Sequence, residues 1–276
     1  MKRKFFWLIA AALFAAAFFL YEEFETIQLY AEGGKKEVFE VNTTNEQLMN
    51  QKRSELLKDS SYSYHKSSLK LSPYVLIDAK YVDEKEKSRE GHLLWSQVDG
   101  EIVLDTDTWQ TTHGFFDALL SDASREDFLL IHALIKKNGS ANKDLLRKDL
   151  KLEKDAFEKT LKNASSKNLV VLFNDVVKLH LEDPKIINFP VSHINHPQDT
   201  REVDFASIVP KRFSLGKIQK IAKSAFGKNF TIRSSKEVFL PIWKIEVKKP
   251  DNSLSVSYWN AVNGWRIDPK KAPLFD

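Results

Sequence analysis

The first twenty residues do most to limit what this chain can fold into. Three basic residues lie within Met1 to Lys4, and Phe5 to Leu20 are sixteen residues without a charged or strongly polar side chain. As a helix this run would be roughly 25 Å long, close to the ~30 Å hydrocarbon core of a bilayer. We therefore predict that residues 5–21 bind the membrane and that the remaining chain buries a core of its own.

The charges on either side of the apolar run predict its orientation. Glutamates follow directly after it, and the next Lys or Arg is Lys35. The positive-inside bias then places the N-terminus in the cytoplasm and the body outside, in the periplasm if the cell is bacterial. No small-residue cleavage site follows the run directly, with Ala31 the nearest poor candidate. Residues 1–21 are therefore interpreted as an uncleaved anchor, in preference to a cleaved signal peptide or a buried helix.

Composition excludes several classes of function. With 42% hydrophobic and 29% charged residues the chain is globular, and its net charge of +4 is too small to mark a nucleic-acid binder. It has no cysteine, which excludes thiol nucleophiles, disulfides and thiolate zinc sites. Walker, Rossmann, G-x-S-x-G and H-E-x-x-H patterns are also absent from the sequence. We predict a protein that is not an enzyme, with no catalytic residue, cofactor or metal.

The body divides by pattern into successive segments. Residues 22–72 are interpreted as a linker and polar region, loosely structured from Lys58 to Lys70, and residues 73–122 as a strand-rich region. In the latter, apolar residues alternate along the chain, and Asp99-Gly100 is a hairpin turn signal. Residues 184–212 hold four of the nine prolines and are predicted to be an irregular connector.

Residues 123–183 have the most informative pattern. Apolar spacing predicts a helix from Arg125 to Asn138, a short helix capped by Ser140, and a third helix beginning near Glu153. Two apolar runs around Asn174-Asp175 then predict a β-hairpin. Three short helices followed by a hairpin resemble a winged helix-turn-helix domain, which implies a helix that could enter the major groove of DNA.

The charges of the third helix bear on that implication. Lys154, Lys159 and Lys162 are the candidate nucleic-acid contacts, with Lys167 nearby, but the early turns carry the acidic residues Glu153, Asp155 and Glu158. Carboxylates repel phosphate, and residues 125–182 hold twelve basic against nine acidic residues. We therefore expect a winged helix used for packing or protein contact, and nucleic acid is the less favoured partner.

Residues 213–276 are predicted to form one helix followed by antiparallel strands. Ser214 caps the helix, Gly227 ends it, and Trp243 lies on an alternating strand. The order of elements, with a turn at Asn260 to Gly264, resembles PepSY-type modules, which are usually extracytoplasmic and are thought to bind or restrain proteases. Asn260 stands where such modules usually carry Asp. The candidate partner-contact residues are Tyr258, Trp259 and Trp265, and Trp243 is as readily a core residue.

Two polar clusters could carry chemistry. His193 and His196 form an H-x-x-H pattern, but flanking prolines argue against the helix that would direct both imidazoles at a metal. Asp105 to Thr108, with Trp109 and His113, could hold a cation or act in acid–base chemistry. We favour solvated loop histidines for the first cluster, and turn or N-cap residues at a helix from Trp109 for the second.

Taken together, the patterns predict an α+β fold with an N-terminal transmembrane helix, a strand-rich region, a winged-helix domain and a C-terminal module of one helix and an antiparallel sheet. The expected function is that of a membrane-anchored, extracytoplasmic, non-enzymatic protein that acts through an unknown protein partner in envelope assembly or regulation. The alternative is a membrane-tethered winged-helix transcriptional regulator with its body in the cytoplasm.

Overall fold

The structure, a computed structural model, describes residues 35–83, 85–203, 207–271 and 275. The predicted anchor at residues 1–21 lies outside these ranges, as do residues 22–34 of the predicted linker and polar region. Within the ranges, no helix is both long enough and apolar enough to cross a membrane. The described residues form seven helices and two β-sheets, the larger of them mostly antiparallel, which confirms a mixed α+β fold.

The elements alternate irregularly along the chain. The helices are α1 Asn45–Gln51, α2 Arg53–Leu56, α3 Phe115–Leu120, α4 Arg125–Ile135, α5 Lys143–Leu150, α6 Lys154–Ser166 and α7 Leu215–Phe226. The strands are β1 Lys35–Phe39, β2 Ser63–Val82, β3 Ser88–Ser96, β4 Ile102–Asp105, β5 Gln110–Thr111, β6 Ser140–Asn142, β7 Val170–Phe173, β8 Val176–Leu179, β9 Gln198–Glu202, β10 Thr231–Lys248 and β11 Leu254–Asn260.

Two long strands form the centre of the large sheet. The sheet order is β5-β4-β3-β2-β10-β1-β9, and β11 also pairs with β10. Strands β2 and β10 are antiparallel from the pair Ser63–Lys248 to the pair Lys80–Thr231. The expectation that Lys58 to Lys70 is loosely structured is therefore wrong from Ser63 onward, because these polar residues form backbone hydrogen bonds with β10. The prediction that the connector is irregular also fails at β9, which pairs with β1.

The two faces of the large sheet are covered differently. Helices α3, α4, α6 and α7 contribute to a core with Val75, Ile77 and Trp95 on one face. The opposite face presents Tyr74 and Leu240, among others, and is covered by loop and C-terminal residues such as Ile194, Ile267 and Phe275.

Residues 125–182 form a helical unit with a small sheet of their own, in the order β6-β8-β7. Helix α6 buries Phe157, Leu161 and Ala164, the stripe predicted from the sequence. One cap differs from the prediction: Ser140 lies in β6, and the side chain of Asn142 caps α5 by accepting a hydrogen bond from the Asp144 N–H at 2.9 Å. The unit shares its apolar core with the large sheet and α7, so packing continues across the predicted segment boundaries.

Helix α7 agrees closely with its predicted limits. The Ser214 side chain accepts a hydrogen bond from the Lys217 N–H, and Gly227 follows the last helical residue with φ of 80°. Arg125 of α4 donates to the carbonyl oxygen of Ala225 at 2.6 Å, which satisfies a helix-end carbonyl and joins the two helices.

Candidate functional site

The two polar clusters singled out in the sequence lie side by side. Thr106 N–H donates to the carbonyl of His193 at 3.0 Å, and the Asn195 side-chain amide donates to Asp107 Oδ2 at 2.7 Å. His196 Nε2 lies 3.1 Å from Asp107 Oδ1. The β4–β5 loop and the connector are thus joined by several polar contacts, although about 88 residues separate them in the chain.

The carboxylates of this cluster organise a turn. Asp105 Oδ1 accepts hydrogen bonds from the backbone N–H groups of Thr108 at 3.0 Å and Asp107 at 2.8 Å. These bonds, the one from Thr108 foremost, hold the pKa of Asp105 below its usual value. The turn interpretation is confirmed in this form, but the helix expected to begin at Trp109 is wrong, because Gln110 and Thr111 form a strand.

His113 does not join the cluster. Its Nδ1 lies 3.2 Å from the carbonyl oxygen of Asp183, at a separate junction. Across the described ranges, no three His, Asp or Glu side chains are grouped so that they could hold a metal ion. The polar contacts between the β4–β5 loop and the connector make the cluster a clamp, which joins these two loops.

A cavity of about 240 Å³ lies beside this clamp on the loop-covered face of the sheet. Trp109, which follows the clamp turn and has φ of 51°, lines it together with Tyr74 and Trp265. Burial raises the pKa of the Tyr74 hydroxyl, which also accepts a long hydrogen bond from Trp109 Nε1 at 3.4 Å. The remaining lining residues are Asp99, Thr108, Thr111, Leu240, Asn260, Arg266, Ile267, Asp268, Lys271 and Phe275.

The charged groups that line the cavity are mostly engaged. Lys271 Nζ lies 2.5 Å from Asp99 Oδ2, and Arg266 Nη1 lies 3.0 Å from Glu55 Oε1. Asp268 Oδ1 accepts a hydrogen bond from the Lys270 N–H at 2.9 Å. Both cationic residues that line the cavity are thus paired with carboxylates.

The predicted partner-contact residues are distributed between core and surface. Tyr258 and Trp259 are 2% and 1% exposed, so the expectation that they lie at the surface is wrong. On β11 their side chains point to opposite faces, each into an apolar cluster. Trp243 is partly buried and donates a hydrogen bond to the carbonyl of Thr43 at 2.8 Å. Trp265, at 56% exposed, is the surface member of the set and stands at the cavity.

The candidate nucleic-acid residues lie on the outer face of α6. Lys154, Lys159 and Lys162 are exposed, and so are the carboxylates interspersed with them, Glu153, Asp155 and Glu158. Lys167 is engaged inside the molecule, since its Nζ lies 2.6 Å from the buried Asp127 carboxylate. The exposed face of this helix is therefore mixed in charge.

An apolar surface that the sequence analysis did not single out lies on the β7–β8 hairpin. Val171, Phe173 and Val176 are exposed, with Phe173 at 72%. We call these three residues the wing patch. The sequence carries no signal for this exposure, because the run Val170 to Phe173 is apolar throughout and is equally typical of a buried strand.

Comparison of the chain with protein-family models, with curated proteins and with solved structures finds no match.

Proposed function

We propose that this chain is a membrane-anchored, extracytoplasmic, non-enzymatic protein that acts through protein–protein contacts in the assembly or regulation of an envelope system. The observation that carries the proposal is the wing patch. Large apolar side chains that stand together on an outer sheet face mark an interaction site more often than isolated ones do.

Strand pairing puts the members of the wing patch on one face. Phe173 lies directly opposite Val176, and Val171 lies opposite Lys178. Opposed residues of an antiparallel pair point to the same side of the sheet, and so do residues two apart on one strand. Fully burying a Phe side chain is worth about 2 kcal/mol, so a partner that covers this face gains binding free energy mainly from Phe173.

The open edge of the small sheet offers a second kind of contact. Strand β7 is one of the two edge strands of this sheet, and among the described residues no strand pairs with its other side. An unpaired edge can accept a strand from another protein through backbone hydrogen bonds. Edge and patch are adjacent, so one partner could use both.

The proposal also assigns a fold to two segments of the chain. The order of elements from α4 to β8, with the sheet order β6-β8-β7, supports a winged helix at residues 123–183. Helix α7 followed by β10 and β11 supports a PepSY-type arrangement in residues 213–276. The basic and apolar N-terminal sequence supports the anchor and the orientation.

The DNA-binding alternative is less well supported by the same surfaces. A wing that contacts the phosphate backbone presents basic residues, whereas this hairpin presents the three apolar residues of the wing patch and a single lysine, Lys178. The exposed carboxylates of α6 would oppose phosphate as well.

Photo-crosslinking in the cells that make the protein tests the proposal. A benzophenone amino acid at position 173 should give a discrete protein adduct, and the adduct should weaken when Val171 and Val176 are both changed to Ser. Position 254 is the control, because Leu254 is also exposed but lies on β11, outside the wing patch. Absence of an adduct at 173, or equal adducts at both positions, would contradict the proposal, and an adduct to DNA would favour the regulator.

A further inference from the structure

The cavity beside Trp109 contains an unpaired hydrogen-bond donor. Asn260 is 3% exposed, and its Nδ2 has no hydrogen-bond partner within the described part of the chain. Its Oδ1 is already used, since it accepts from the Val262 N–H at 2.8 Å. A buried amide left without an acceptor costs roughly 1–3 kcal/mol, so a ligand that supplies the acceptor gains affinity.

Strand register directs this donor toward the cavity. Asn260 of β11 pairs with Ile242 of β10, and opposed residues share a face. Ile242 belongs to the apolar cluster of the loop-covered face, together with Leu240 and Tyr74, and these latter two line the cavity. The Asn260 side chain is therefore on the cavity side of the sheet.

The walls define what kind of ligand fits. Trp109 and Trp265 supply flat apolar surfaces, and the cationic residues that line the cavity are paired with carboxylates. A cavity of 150 Å³ is large enough for benzene, so about 240 Å³ can hold one apolar side chain with a neighbouring amide. The ligand should then be uncharged, with an apolar group next to an oxygen that accepts a hydrogen bond.

We propose that the cavity binds a peptide segment of the protein partner. One apolar side chain of that segment lies between Trp109 and Trp265, and an adjoining backbone carbonyl accepts a hydrogen bond from Asn260 Nδ2. The chain itself provides an example of such packing: Phe275 lines the same cavity and packs on Tyr258 with 5.5 Å between ring centroids. This inference rests on the proposed contact function and adds a second contact point, separate from the wing patch.

The test uses the full chain in lipid nanodiscs and N-acetyl-L-phenylalaninamide as the probe, followed by saturation-transfer difference NMR. Saturable binding is expected, with a dissociation constant at least tenfold weaker in Asn260→Asp. The substituted carboxylate retains the acceptor for Val262 N–H but replaces the donor. Asn252→Asp is the matched control, because it makes the same charge change at an exposed position of the β10–β11 turn, outside the lining residues, and should bind as wild type does.

Trp265→Ala is a second variant. Because Trp265 is largely exposed, its removal should leave the fold intact but weaken the binding of the probe. No saturable binding to the wild-type chain, or equal affinity in Asn260→Asp and wild type, would overturn the inference. Tighter binding of N,N′-diacetylchitobiose that is lost in Asn260→Asp would also overturn it, in favour of a carbohydrate site. Crosslinking at position 173 is independent of the cavity, so failure of this inference is distinguishable from failure of the proposed function.

Discussion

Glu101 offers a stringent test of how the strand region is joined to the helical region. Its side chain is 3% exposed, yet it accepts four hydrogen bonds. Oε1 accepts from the N–H groups of Gly114 at 2.9 Å and Phe116 at 3.0 Å. Oε2 accepts from Thr112 Oγ1 at 2.8 Å and from the Phe115 N–H at 3.3 Å. The carboxylate thus caps α3, whose N-cap residue is a glycine without a side chain to do so.

The effect of Glu101→Gln can be worked out from this geometry. The amide keeps one oxygen but places an NH₂ group where the other oxygen was. If Oε2 is replaced, the Thr112 hydroxyl can rotate to accept from the amide, and of the backbone donors only the Phe115 N–H loses its acceptor. If Oε1 is replaced, two N–H groups lose theirs. One orphaned buried donor costs roughly 1–3 kcal/mol, so we expect a loss of about 2 kcal/mol in the free energy of unfolding.

Urea denaturation followed by circular dichroism would measure this loss. Glu90→Gln is the matched control, because the Glu90 side chain is 69% exposed and pairs with Arg233 at the surface. An exposed pair of this kind contributes about 0–1 kcal/mol. If Glu101→Gln and Glu90→Gln unfold at the same urea concentration as wild type, Glu101 does not cap α3 as described.

Two further predictions concern the helical unit. Leu161→Asp should unfold it, because Leu161 is fully buried and an unpaired buried carboxylate costs several kcal/mol; a melting temperature equal to wild type would show that the α6 packing is wrong. Burial, with the charges of Arg125 and Lys136, lowers the pKa of His132 to about 4. The free energy of unfolding is therefore highest above about pH 6.5, where His132 is neutral in both the folded and the unfolded chain. It falls as the pH is lowered toward 4, by up to about 3 kcal/mol. His132→Gln should flatten that part of the unfolding profile, and an unchanged slope would refute the assignment.

Helix α7 shows what local sequence can predict. The helix begins after its cap Ser214 and ends before Gly227, and one face of it is buried. That face carries Ile218, Ile221, Ala222 and Ala225. Capping and periodicity depend on neighbours within four residues, so they are visible in one sequence. The Asn174-Asp175 hairpin is predictable for the same reason, and Asn174 has φ of 52° as that turn requires.

The centre of the sheet could not be predicted in this way. The residues from Ser63 to Lys70 are mostly polar and exposed or half-buried, so they lack the apolar alternation of a typical strand. They are strand because β10 pairs with them from about 170 to 185 residues away, and such pairing depends on tertiary context. The burial of Tyr258 and Trp259 has the same origin, because each face of β11 is covered by other parts of the chain.

Only part of the candidate site could be recognised from the sequence. Asp105 to Trp109 and His193 to His196 were each recognisable as polar clusters, but their contact depends on how the connector returns across the sheet. The cavity adds residues from five or more separate places in the chain, and its key feature is an amide that lacks a partner. A missing hydrogen bond is a property of three-dimensional packing and leaves no pattern in the sequence.

The most direct test of the account is the side of the membrane on which the body lies. Paired reporters would be fused after Asp276, one active only in the cytoplasm and the other active only outside it. The account predicts activity of the external reporter alone, since three basic residues precede the apolar run and no Lys or Arg follows it until Lys35. Activity of the cytoplasmic reporter alone would contradict the extracytoplasmic contact function and favour the tethered regulator.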